Sequence, residues 1–554
     1  MRKRGAQILI EQLEKHGIET IAGIPGGNNL PIYDALNDSK ICHILARHEQ
    51  GAAFIAQGMA RSTGKPAVCL ATSGPGAANL LTALADAKSD SVPIIAITGQ
   101  VSTAMKGTDA FQEIDICAMA APAVKATFYI NKACDIPGRI TEAFRIAASG
   151  RPGPVLIDLP KDIQMEWVAH KDLNGKVSHN GIQTKITSEE IEKAAQMIAA
   201  AKRPVIINGN GAIISGASQI IARMAREHQI PVATTLHGLG SFPASDPLFL
   251  GMPGMHGSKA TNLLLHRADL LLAFGMRFDD RLTGKLSQFC PDATVIHIDI
   301  NPAEIGKIRK PNLSMIADLK NALEKLIPNM IKTNRDEWMI EVQEIKNEFG
   351  HNFKDEKDDF IPSSMIKTIK SLAPENAIIT TDVGQHQMWV AQHYDFEHPR
   401  TLLTSGGQGT MGFGLPAAIG AAIANPDRKV IVFSGDGSML MNIQELATLA
   451  DIGANITILV MNNNQLGLVR QQQELFYGKK YSGSIFESKT DFATAALAFG
   501  IPAIDLEATG SPVDALEKAL NYNGPMLINV PVSGTLNVMP MVPPGGANIE
   551  MIEK

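Results

Sequence analysis

The feature of this sequence that most constrains its fold is a series of short apolar segments, each followed by a helical pattern of apolar residues. The segments are rich in β-branched residues and carry polar side chains on neither face, as strands do when helices cover both faces of a parallel sheet. Strands that alternate with helices predict an α/β fold built from doubly wound units. The segments are 66–71, 93–98, 154–159, 204–208, 269–274, 294–300, 377–381, 429–434, 455–461 and 525–530.

Two polar segments divide the chain of 554 residues. Residues 167–187 lack the strand pattern, and residues 331–360 hold 14 charged side chains in 30 positions, including the block 355–359. Charge runs of this kind are typical of solvated linkers or exposed helix faces. We therefore expect three doubly wound parallel-sheet domains, at residues 1–166, 188–332 and 361–554.

The last part of the chain has a different character. From Ser533 onward, and above all in residues 539–546, prolines and glycines exclude a regular helix or strand. Both a disordered end and a flap that closes over a site are compatible with such a segment, and the sequence favours neither.

Composition excludes several classes of protein. Hydrophobic residues make up 45% of the chain, which rules out intrinsic disorder, and a net charge of −6 without a long basic block argues against a nucleic-acid partner. No segment has the length and apolar character of a signal peptide or a transmembrane span, so we expect no membrane association. The five scattered cysteines are typical of a reducing compartment, and we expect a soluble cytoplasmic protein.

Polar residues follow two neighbouring predicted strands at the points where these strands end. Gly435-Asp436-Gly437-Ser438 follows one strand, and Asn462-Asn463-Asn464 follows the next. The carboxyl ends of parallel strands are where open α/β sheets bind ligands, and oxygen ligands suit Mg²⁺ shared with a phosphate. Taken separately, each motif is equally compatible with an ordinary turn or an Asn-rich loop.

The pair of motifs resembles the diphosphate motif of thiamine diphosphate enzymes. The resemblance implies thiamine diphosphate and Mg²⁺, with the metal held by Asp436, the Asn463 side chain and the main-chain carbonyl of Gln465. The fold it implies is the three-domain pyruvate oxidase/decarboxylase-like architecture, with a pyrimidine-binding, a central and a diphosphate-binding domain.

A carboxylate near the N-terminus fits the same chemistry. Glu49 lies in Arg47-His48-Glu49-Gln50-Gly51, between a predicted strand and an Ala-rich helix. From the residues alone, Glu49 reads as a first-turn carboxylate that complements the helix dipole. The segment resembles the one that supplies the glutamate bonded to N1′ of the aminopyrimidine in thiamine enzymes, and this resemblance implies that Glu49 activates the cofactor.

A second glycine-rich stretch, residues 405–414, is compatible with close helix packing. The family resemblance implies more: the Gly409 carbonyl accepts from the 4′-amino group of the cofactor, and Met411 wedges the cofactor into its bent shape. The further residues that the resemblance assigns to thiamine diphosphate are Gly76, Asn79, Gln385, His386, Gly437, Ser438, Gly467 and Leu468.

The match becomes closer in the first two domains. Residues 24–27, 72–76, 107–113 and 149–155, and in the central domain 251–257, 274–281 and 297–304, resemble the catalytic subunits of acetolactate (acetohydroxyacid) synthases, of the FAD-containing biosynthetic type. The resemblance implies decarboxylation of pyruvate and ligation of the two-carbon unit to a second pyruvate or to 2-oxobutyrate. A flavin-dependent pyruvate oxidase-type decarboxylase is the alternative.

The FAD prediction depends on this resemblance alone. The loop 208–211 follows a predicted strand, but Ile214 occupies the last glycine position of the dinucleotide fingerprint, so the loop itself is weak evidence. The implied flavin is structural. The residues implied to bind it are Arg151, Gly209, Thr235, Leu236, Gly254, Met255, His256, Gly275, Arg277, Asp279, Asp299, Ile300 and Asp318.

The resemblance also implies a substrate site. Arg281 clamps the carboxylate of the second 2-oxo acid, since a guanidinium pairs with it bidentately. Phe111 and Met255 wall the acceptor pocket, and Gln112 and Lys161 line the active-site region. Without the resemblance, Arg281 would read as a surface ion-pair partner and Phe111 as a core aromatic.

Two positions depart from the family pattern. Gln472 stands where these enzymes commonly carry a Trp associated with preference for 2-oxobutyrate, which predicts weaker discrimination between acceptors. Ser102 stands where Pro is usual, and the sequence indicates no consequence.

The expected partners follow from the same resemblance. The cofactor of such enzymes lies between the domains of two subunits, so we expect a homodimer or a dimer of dimers with shared active sites, and a small valine-sensing regulatory subunit is compatible with the chain. Residues 401–450 hold only five charged side chains, two of them Asp436 and Glu445, which we expect to bracket or serve the metal site. This local deficit predicts a buried cofactor and a subunit interface.

Overall fold

The computed structural model describes residues 2–173, 186–350 and 360–553. The block 355–359 and most of the polar segment 167–187 therefore lie outside the described residues. Within the described parts, three sheets of six strands each dominate the architecture, and all strand pairings inside them are parallel. Helices cover both faces of the sheets, so the predicted α/β class with three doubly wound parallel sheets is confirmed.

The N-terminal sheet has the strand order β3-β2-β4-β5-β7-β6. A short antiparallel ribbon of β1 and β8 closes this domain beside the sheet. The strands are β1 (Arg2–Arg4), β2 (Thr20–Gly23), β3 (Cys42–Leu45), β4 (Ala67–Ala71), β5 (Ile94–Gln100), β6 (Ala126–Tyr129), β7 (Val155–Pro160) and β8 (Trp167–Ala169). The helices are α1 (Gly5–Lys15), α2 (Leu30–Leu36), α3 (Glu49–Thr63), α4 (Pro75–Ala78), α5 (Leu81–Ser89), α6 (Ile116–Ala120), α7 (Ile136–Ala148) and α8 (Lys161–Met165).

The central sheet has the order β11-β10-β9-β12-β13-β14. Its strands are β9 (Pro204–Asn208), β10 (Val232–Thr234), β11 (Phe249–Gly251), β12 (Leu270–Phe274), β13 (Thr294–Asp299) and β14 (Leu313–Ile316). The helices are α9 (Ser188–Ala200), α10 (Asn210–Ile214), α11 (Ser218–His228), α12 (Lys259–Arg267), α13 (Asp280–Thr283), α14 (Leu319–Leu326) and α15 (Asp336–Phe349).

Helix α15 arises from the charged segment 331–360. It buries Trp338, Val342 and Ile345 against the central domain, and the Trp338 indole N–H donates to the Pro204 carbonyl at 3.2 Å. The described part of this segment is therefore a packed amphipathic helix with a charged outer face.

The C-terminal sheet has the order β16-β15-β17-β18-β20-β19. Its strands are β15 (Ile378–Thr381), β16 (Leu402–Leu403), β17 (Val430–Gly435), β18 (Ile456–Asn462), β19 (Ala503–Asp505) and β20 (Met526–Pro531). The helices are α16 (Pro362–Leu372), α17 (Gln385–His393), α18 (Gly414–Ala424), α19 (Asp436–Met441), α20 (Glu445–Ile452), α21 (Gly467–Phe476), α22 (Phe492–Ala498) and α23 (Pro512–Asn521).

The winding of each sheet reverses at a point inside the sheet, and open α/β sheets form their ligand crevice there, at the carboxyl ends of the strands. The reversal lies between β2 and β4 in the N-terminal sheet, between β9 and β12 in the central sheet, and between β15 and β17 in the C-terminal sheet. The glycine-rich or Asp-containing turns that the sequence singled out follow these strands. Topology therefore assigns one ligand crevice to each domain.

The N-terminal and C-terminal domains share one apolar core through helices α3 and α18. The two helices cross closely enough that a Cβ at Gly58 would overlap the Ala417 carbonyl oxygen, and a Cβ at Gly420 would overlap the Ile55 carbonyl oxygen. Small residues at both crossing positions let the backbones touch. None of the helices in the described parts of the chain is long and apolar enough to cross a membrane.

We expect Gly420→Ala to lower the free energy of unfolding by about 1–3 kcal/mol, because the added methyl group has no space at the α3–α18 crossing. Gly510→Ala is the matched control in the same domain, because no atom lies within 4 Å of a Cβ built there. Urea denaturation measures both variants. Equal stability of the two would contradict close packing at the crossing.

Candidate active site

A cavity of about 150 Å³ opens at the carboxyl ends of β15, β17 and β18. It lies at the reversal point of the C-terminal sheet. Every C-terminal residue that the sequence assigned to thiamine diphosphate or the metal lines it: Gln385, His386, Gly409, Met411, Asp436, Gly437, Ser438, Asn463, Gln465, Gly467 and Leu468. The two predicted loops therefore meet in one cavity.

Asp436 is the buried carboxylate of this cavity. Its oxygens accept from the main-chain N–H groups of Gly437 at 2.8 Å and of Gln465 at 3.0 Å, so it ties the two loops together. Burial raises the pKa of Asp436 to about 6, against the pull of these donors. Asn463 donates its amide N–H to Gln385 Oε1 at 3.1 Å, which leaves its amide oxygen as the group it can offer a cation.

The donor set of this cavity has the chemistry of an oxygen-ligated cation. In the described residues no group of three or more His, Cys, Asp or Glu side chains could hold a metal ion. One carboxylate, one amide oxygen and a main-chain carbonyl instead suit Mg²⁺, which takes its remaining ligands from phosphates and water.

His386 lies on the wall of the same cavity. It is buried, and its Nε2 atom has no hydrogen-bond partner in the described parts of the chain. Burial lowers the pKa of His386 to about 3, so the ring is neutral at physiological pH. A buried imidazole whose Nε2 atom has no partner marks a polar position on the cavity wall that a bound ligand or water can complete.

Glu49 begins helix α3 and lies in the N-terminal domain. Asn79 Nδ2 donates to Glu49 Oε2 at 2.9 Å, and a Cβ at Gly76 would stand 3.0 Å from Glu49 Oε1. The structure therefore brings Glu49 together with Gly76 and Asn79, the two other N-terminal residues that the sequence assigned to thiamine diphosphate.

A larger cavity, of about 650 Å³, lies at the reversal point of the central sheet. Of the residues predicted to bind FAD, Gly254 does not line it, and its Cβ position is filled by the Arg281 carbonyl oxygen. The predicted residues that do line the cavity are Arg151, Gly209, Thr235, Leu236, Met255, His256, Gly275, Arg277, Asp279, Asp299, Ile300 and Asp318.

The large cavity has the chemistry that a dinucleotide requires. Arg151 and Arg277 supply positive charge for phosphates, and the carboxylates of Asp299 and Asp318 can accept from ribose hydroxyls. Burial raises the pKa of Asp299 to about 6. His256 is half-buried, and its buried Nδ1 atom has no partner within the described residues, as expected of a group that can bind a ligand.

Three models of the thiamine pyrophosphate (diphosphate) enzymes match this chain: the N-terminal TPP binding domain over residues 3–119, the central domain over 191–326 and the C-terminal TPP binding domain over 382–530. The chain is 50% identical to the acetolactate synthase isozyme 1 large subunit of Escherichia coli (strain K12), over 100% of this chain and 98% of that one. The chain belongs to the acetolactate synthase large subunits.

Two further relatives agree with this membership. The chain is 44% identical to the isozyme 2 large subunit of Escherichia coli (strain K12), over 99% of both chains. It is also 44% identical to the acetolactate synthase large subunit of Lactococcus lactis subsp. lactis (strain IL1403), over 99% of this chain and 96% of that one. The predicted family, the dependence on thiamine diphosphate and the activity of acetolactate synthesis are confirmed, and the pyruvate oxidase-type alternative is not favoured.

Within this acetolactate synthase chain, the predicted substrate residues fall into two groups. Arg281 and Met255 line the large cavity, where Arg281 Nη1 lies 3.1 Å from Met255 Sδ. Phe111, Gln112 and Lys161 line neither cavity as far as the structure describes the chain, and the Phe111 side chain is 86% exposed. Glu49 likewise lines neither cavity.

The prediction that Glu445 serves the metal site is wrong. Its carboxylate accepts from the main-chain N–H groups of Arg47 at 3.1 Å and His48 at 3.0 Å, and from the Thr448 hydroxyl at 2.7 Å. It lies beside the residues that precede Glu49 and packs where Gly51 has no side chain. Glu445 therefore fixes the start of helix α3 from the C-terminal domain.

The tail that follows Ser533 packs against residues of the site, since Gln385 Nε2 donates to the Leu536 carbonyl at 2.8 Å and Gln465 Nε2 to the Gly534 carbonyl at 2.6 Å. Gln471 Nε2 donates to the Val538 carbonyl at 3.0 Å, and Val542 N donates to the Met255 carbonyl at 2.8 Å. The described tail is therefore packed between α21 and the central domain, and none of its described residues lines either cavity.

Sequence reasoning missed Asp90 and His237, which both line the large cavity. Neither belongs to a motif: Asp90 directly follows α5, and His237 lies in a 3₁₀ turn after β10. Only the packing of the N-terminal domain against the central domain brings them together, with His237 Nε2 at 3.1 Å from Asp90 Oδ1.

We expect Glu445→Gln to lower the free energy of unfolding by about 1.5–3 kcal/mol, since it replaces a buried carboxylate that accepts two main-chain N–H groups. The matched control is Asp451→Asn on the same helix, which removes an exposed ion pair with the Arg47 side chain and should cost less than about 1 kcal/mol. Urea denaturation compares the two. A larger loss in the control would contradict the anchoring role of Glu445.

Proposed function

We propose that this chain makes 2-acetolactate from two molecules of pyruvate, and 2-aceto-2-hydroxybutyrate from pyruvate and 2-oxobutyrate, as the first common step in the biosynthesis of branched-chain amino acids. Its cofactors are thiamine diphosphate, Mg²⁺ and FAD. The observation that carries the proposal is the convergence of the Asp436 and Asn463 loops on one cavity, beside a larger cavity that contains Arg281.

Thiamine diphosphate supplies the electron sink that lets pyruvate lose CO₂, so that its remaining two-carbon unit can bond to the carbonyl carbon of a second 2-oxo acid. Asp436, Asn463 and the Gln465 carbonyl would hold Mg²⁺ against the diphosphate. Gln385 orients Asn463 for the metal, and the unpartnered Nε2 atom of His386 would face the diphosphate end of the cofactor.

Glu49 would hold a proton at N1′ of the aminopyrimidine. The Asn79 amide and the fixed start of α3 orient its carboxyl group. The Gly409 carbonyl and Met411 would contact the same ring from the C-terminal domain.

Arg281 would bind the carboxylate of the acceptor, because its guanidinium offers two parallel N–H groups to a planar anion. Met255 lies against it and Phe111 would close the pocket on the other side. Gln112 and Lys161 would complete the site and, with the apolar walls, keep water from the reacting carbon.

A complete site requires two copies of the chain. The residues of the N-terminal group, Glu49, Phe111, Gln112 and Lys161, line neither cavity of their own chain, and Phe111 is exposed. We therefore infer a homodimer, or a dimer of dimers, in which the N-terminal domain of one copy faces the C-terminal domain of the other.

Further assignments complete the proposal. The relatives are named large subunits, which favours a small regulatory subunit as a partner. All five cysteines are free, which favours the cytoplasm. The flavin would be structural, since the reaction has no net redox change. The domain limits that we propose remain 1–166, 188–332 and 361–554.

A pyruvate-only assay tests the function. We expect acetolactate to form with thiamine diphosphate, Mg²⁺ and FAD, and to be lost when thiamine diphosphate or Mg²⁺ is removed. Oxygen-dependent release of CO₂ with peroxide, and without acetolactate, would overturn the proposal in favour of a pyruvate oxidase.

In the same assay Glu49→Gln should reduce turnover by about 10²–10⁴-fold, which is the usual contribution of a positioned acid or base. Wild-type turnover in that variant would exclude the proton-holding role.

Gln472 lines the large cavity near Arg281 and is expected to give weak discrimination between acceptors. With pyruvate and 2-oxobutyrate in competition, we expect comparable amounts of the two products. Gln472→Trp should raise the ratio of 2-aceto-2-hydroxybutyrate to 2-acetolactate by about tenfold, because an added apolar contact favours the extra methylene. Gln472→Ala is the control and should leave the ratio near its wild-type value. A strong preference for 2-oxobutyrate in the wild type would exclude this role for Gln472.

A further inference from the structure

The glycine-rich loop, defined here as residues 405–412, forms a shared wall of both cavities. Residues 405–409 line the large cavity, and Gly409 and Met411 line the small one. The loop has no helix or strand of its own. Its position therefore depends on what its main-chain groups bond to.

Asp90 of the N-terminal domain bonds directly to this main chain. Its carboxylate accepts from Gly406 N at 3.1 Å and from Gly407 N at 2.8 Å, and Arg61 Nη2 donates to it at 2.9 Å. Two consecutive main-chain N–H groups that converge on one anion form a nest. Here the anion is a side chain of another domain of the same chain.

The glycines permit this approach. A Cβ at Gly406 would overlap the His237 ring, and a Cβ at Gly407 would overlap the Ser89 hydroxyl and stand 2.8 Å from Asp90 Oδ1. Any side chain at these positions would push the loop away from the carboxylate. The glycine pair and Asp90 therefore form one unit.

Asp86, one turn earlier on α5, holds the two ends of the same stretch. It accepts from the Ser405 hydroxyl, from Thr410 Oγ1 at 3.0 Å and from Arg61 Nη2 at 3.1 Å. On the far side, Asp382 accepts from Gly412 N at 2.8 Å. Carboxylates thus anchor the loop on both sides of Gly409 and Met411, and these two residues lie between the anchors.

Asp86 and Asp90 form an acidic pair, and the charges of the two carboxyl groups support this arrangement. Burial by itself would raise the pKa of Asp90, but His237 and Arg61 outweigh it and hold that pKa well below the usual range. Burial, together with the negative charge of Asp90, raises the pKa of Asp86. Asp90 is therefore the permanently ionised member, as a carboxylate that holds two N–H groups should be.

We propose that Asp90 is a positioning residue of the reaction: it holds the glycine-rich loop at the place where Gly409 and Met411 receive the pyrimidine ring of thiamine diphosphate. The proposal rests on the proposed function, which assigns these two residues to the cofactor. Asp90 does not line the smaller cavity, where thiamine diphosphate would lie. It acts through the loop, from the N-terminal domain of the same chain, whereas Glu49 would reach this cofactor from the other copy.

The test is the affinity of the full-length protein for thiamine diphosphate, measured by titration calorimetry with Mg²⁺ and FAD present. Asp90→Asn should raise the dissociation constant by about tenfold or more, because the neutral amide loses charge-assisted bonds to the loop. In steady-state kinetics, the concentration of thiamine diphosphate at half-saturation should rise by a similar factor. The KM for pyruvate should change by less than about twofold in the same variant.

Glu397→Gln is the matched control. Glu397 also fastens two domains by accepting a main-chain N–H and a hydroxyl, both from Ser245, but it does not touch the loop. The affinity of the Glu397→Gln variant for thiamine diphosphate should equal that of the wild type. A general loss of domain packing would weaken binding in both variants and would overturn the proposal.

Two milder variants keep the test valid if Asp90→Asn does not fold. Thr410→Val and Ser405→Ala each remove one bond from the loop to Asp86 and should raise the dissociation constant about threefold, with unchanged melting temperature of the cofactor-free protein. Wild-type affinity in all folded loop variants would overturn the proposal. Failure of the wild type to make acetolactate while it binds thiamine diphosphate would instead overturn the proposed function and leave the role of Asp90 measurable.

Discussion

The packing of helix α3 against helix α18 is the constraint on which the rest of the structure depends. The two backbones touch where Gly58 and Gly420 lack side chains, and the contact joins the N-terminal and C-terminal domains into one core. Helix α3 begins with Glu49 and carries Arg61 in its last turn, while α18 directly follows the glycine-rich loop. One helix contact therefore sets the positions of the activating carboxylate, the loop and the acidic pair that holds the loop.

The few charges in this region serve main-chain hydrogen bonding. Glu445 holds the two residues before Glu49, Asp90 holds Gly406 and Gly407, and Asp382 holds the far end of the loop. A buried carboxylate is stable only when donors surround it, and main-chain N–H groups of irregular segments need acceptors. The buried carboxylates and the main-chain N–H groups of the loops therefore serve as each other's hydrogen-bond partners. Irregular loops near the site thereby gain fixed positions without the support of a helix or a sheet.

Much of the site could be predicted because its residues follow strands. The segment 429–434 became β17 (Val430–Gly435) and the segment 455–461 became β18 (Ile456–Asn462). Parallel neighbours end at the same edge, so Asp436 and Asn463 had to meet there. The central domain followed the same rule, although Gly254 lies outside its cavity because its Cβ position faces the Arg281 carbonyl oxygen. Glu445 was misassigned, since sequence proximity to Asp436 carries no information about which way a helix faces.

The sequence by itself determined the succession of strands and helices and the oxygen ligands at the strand ends, because these depend on local periodicity and on residues close together in the chain. The class of cofactor and the family came from the resemblance of its motifs to those of known enzymes. Only the tertiary structure decided which domain supports which loop. Asp90 and Gly407 are separated by 317 positions, and no local pattern marks their pairing. Their contact exists because α3 and α18 pack at a distance that only glycine allows, and this packing places the carboxylate beside the loop.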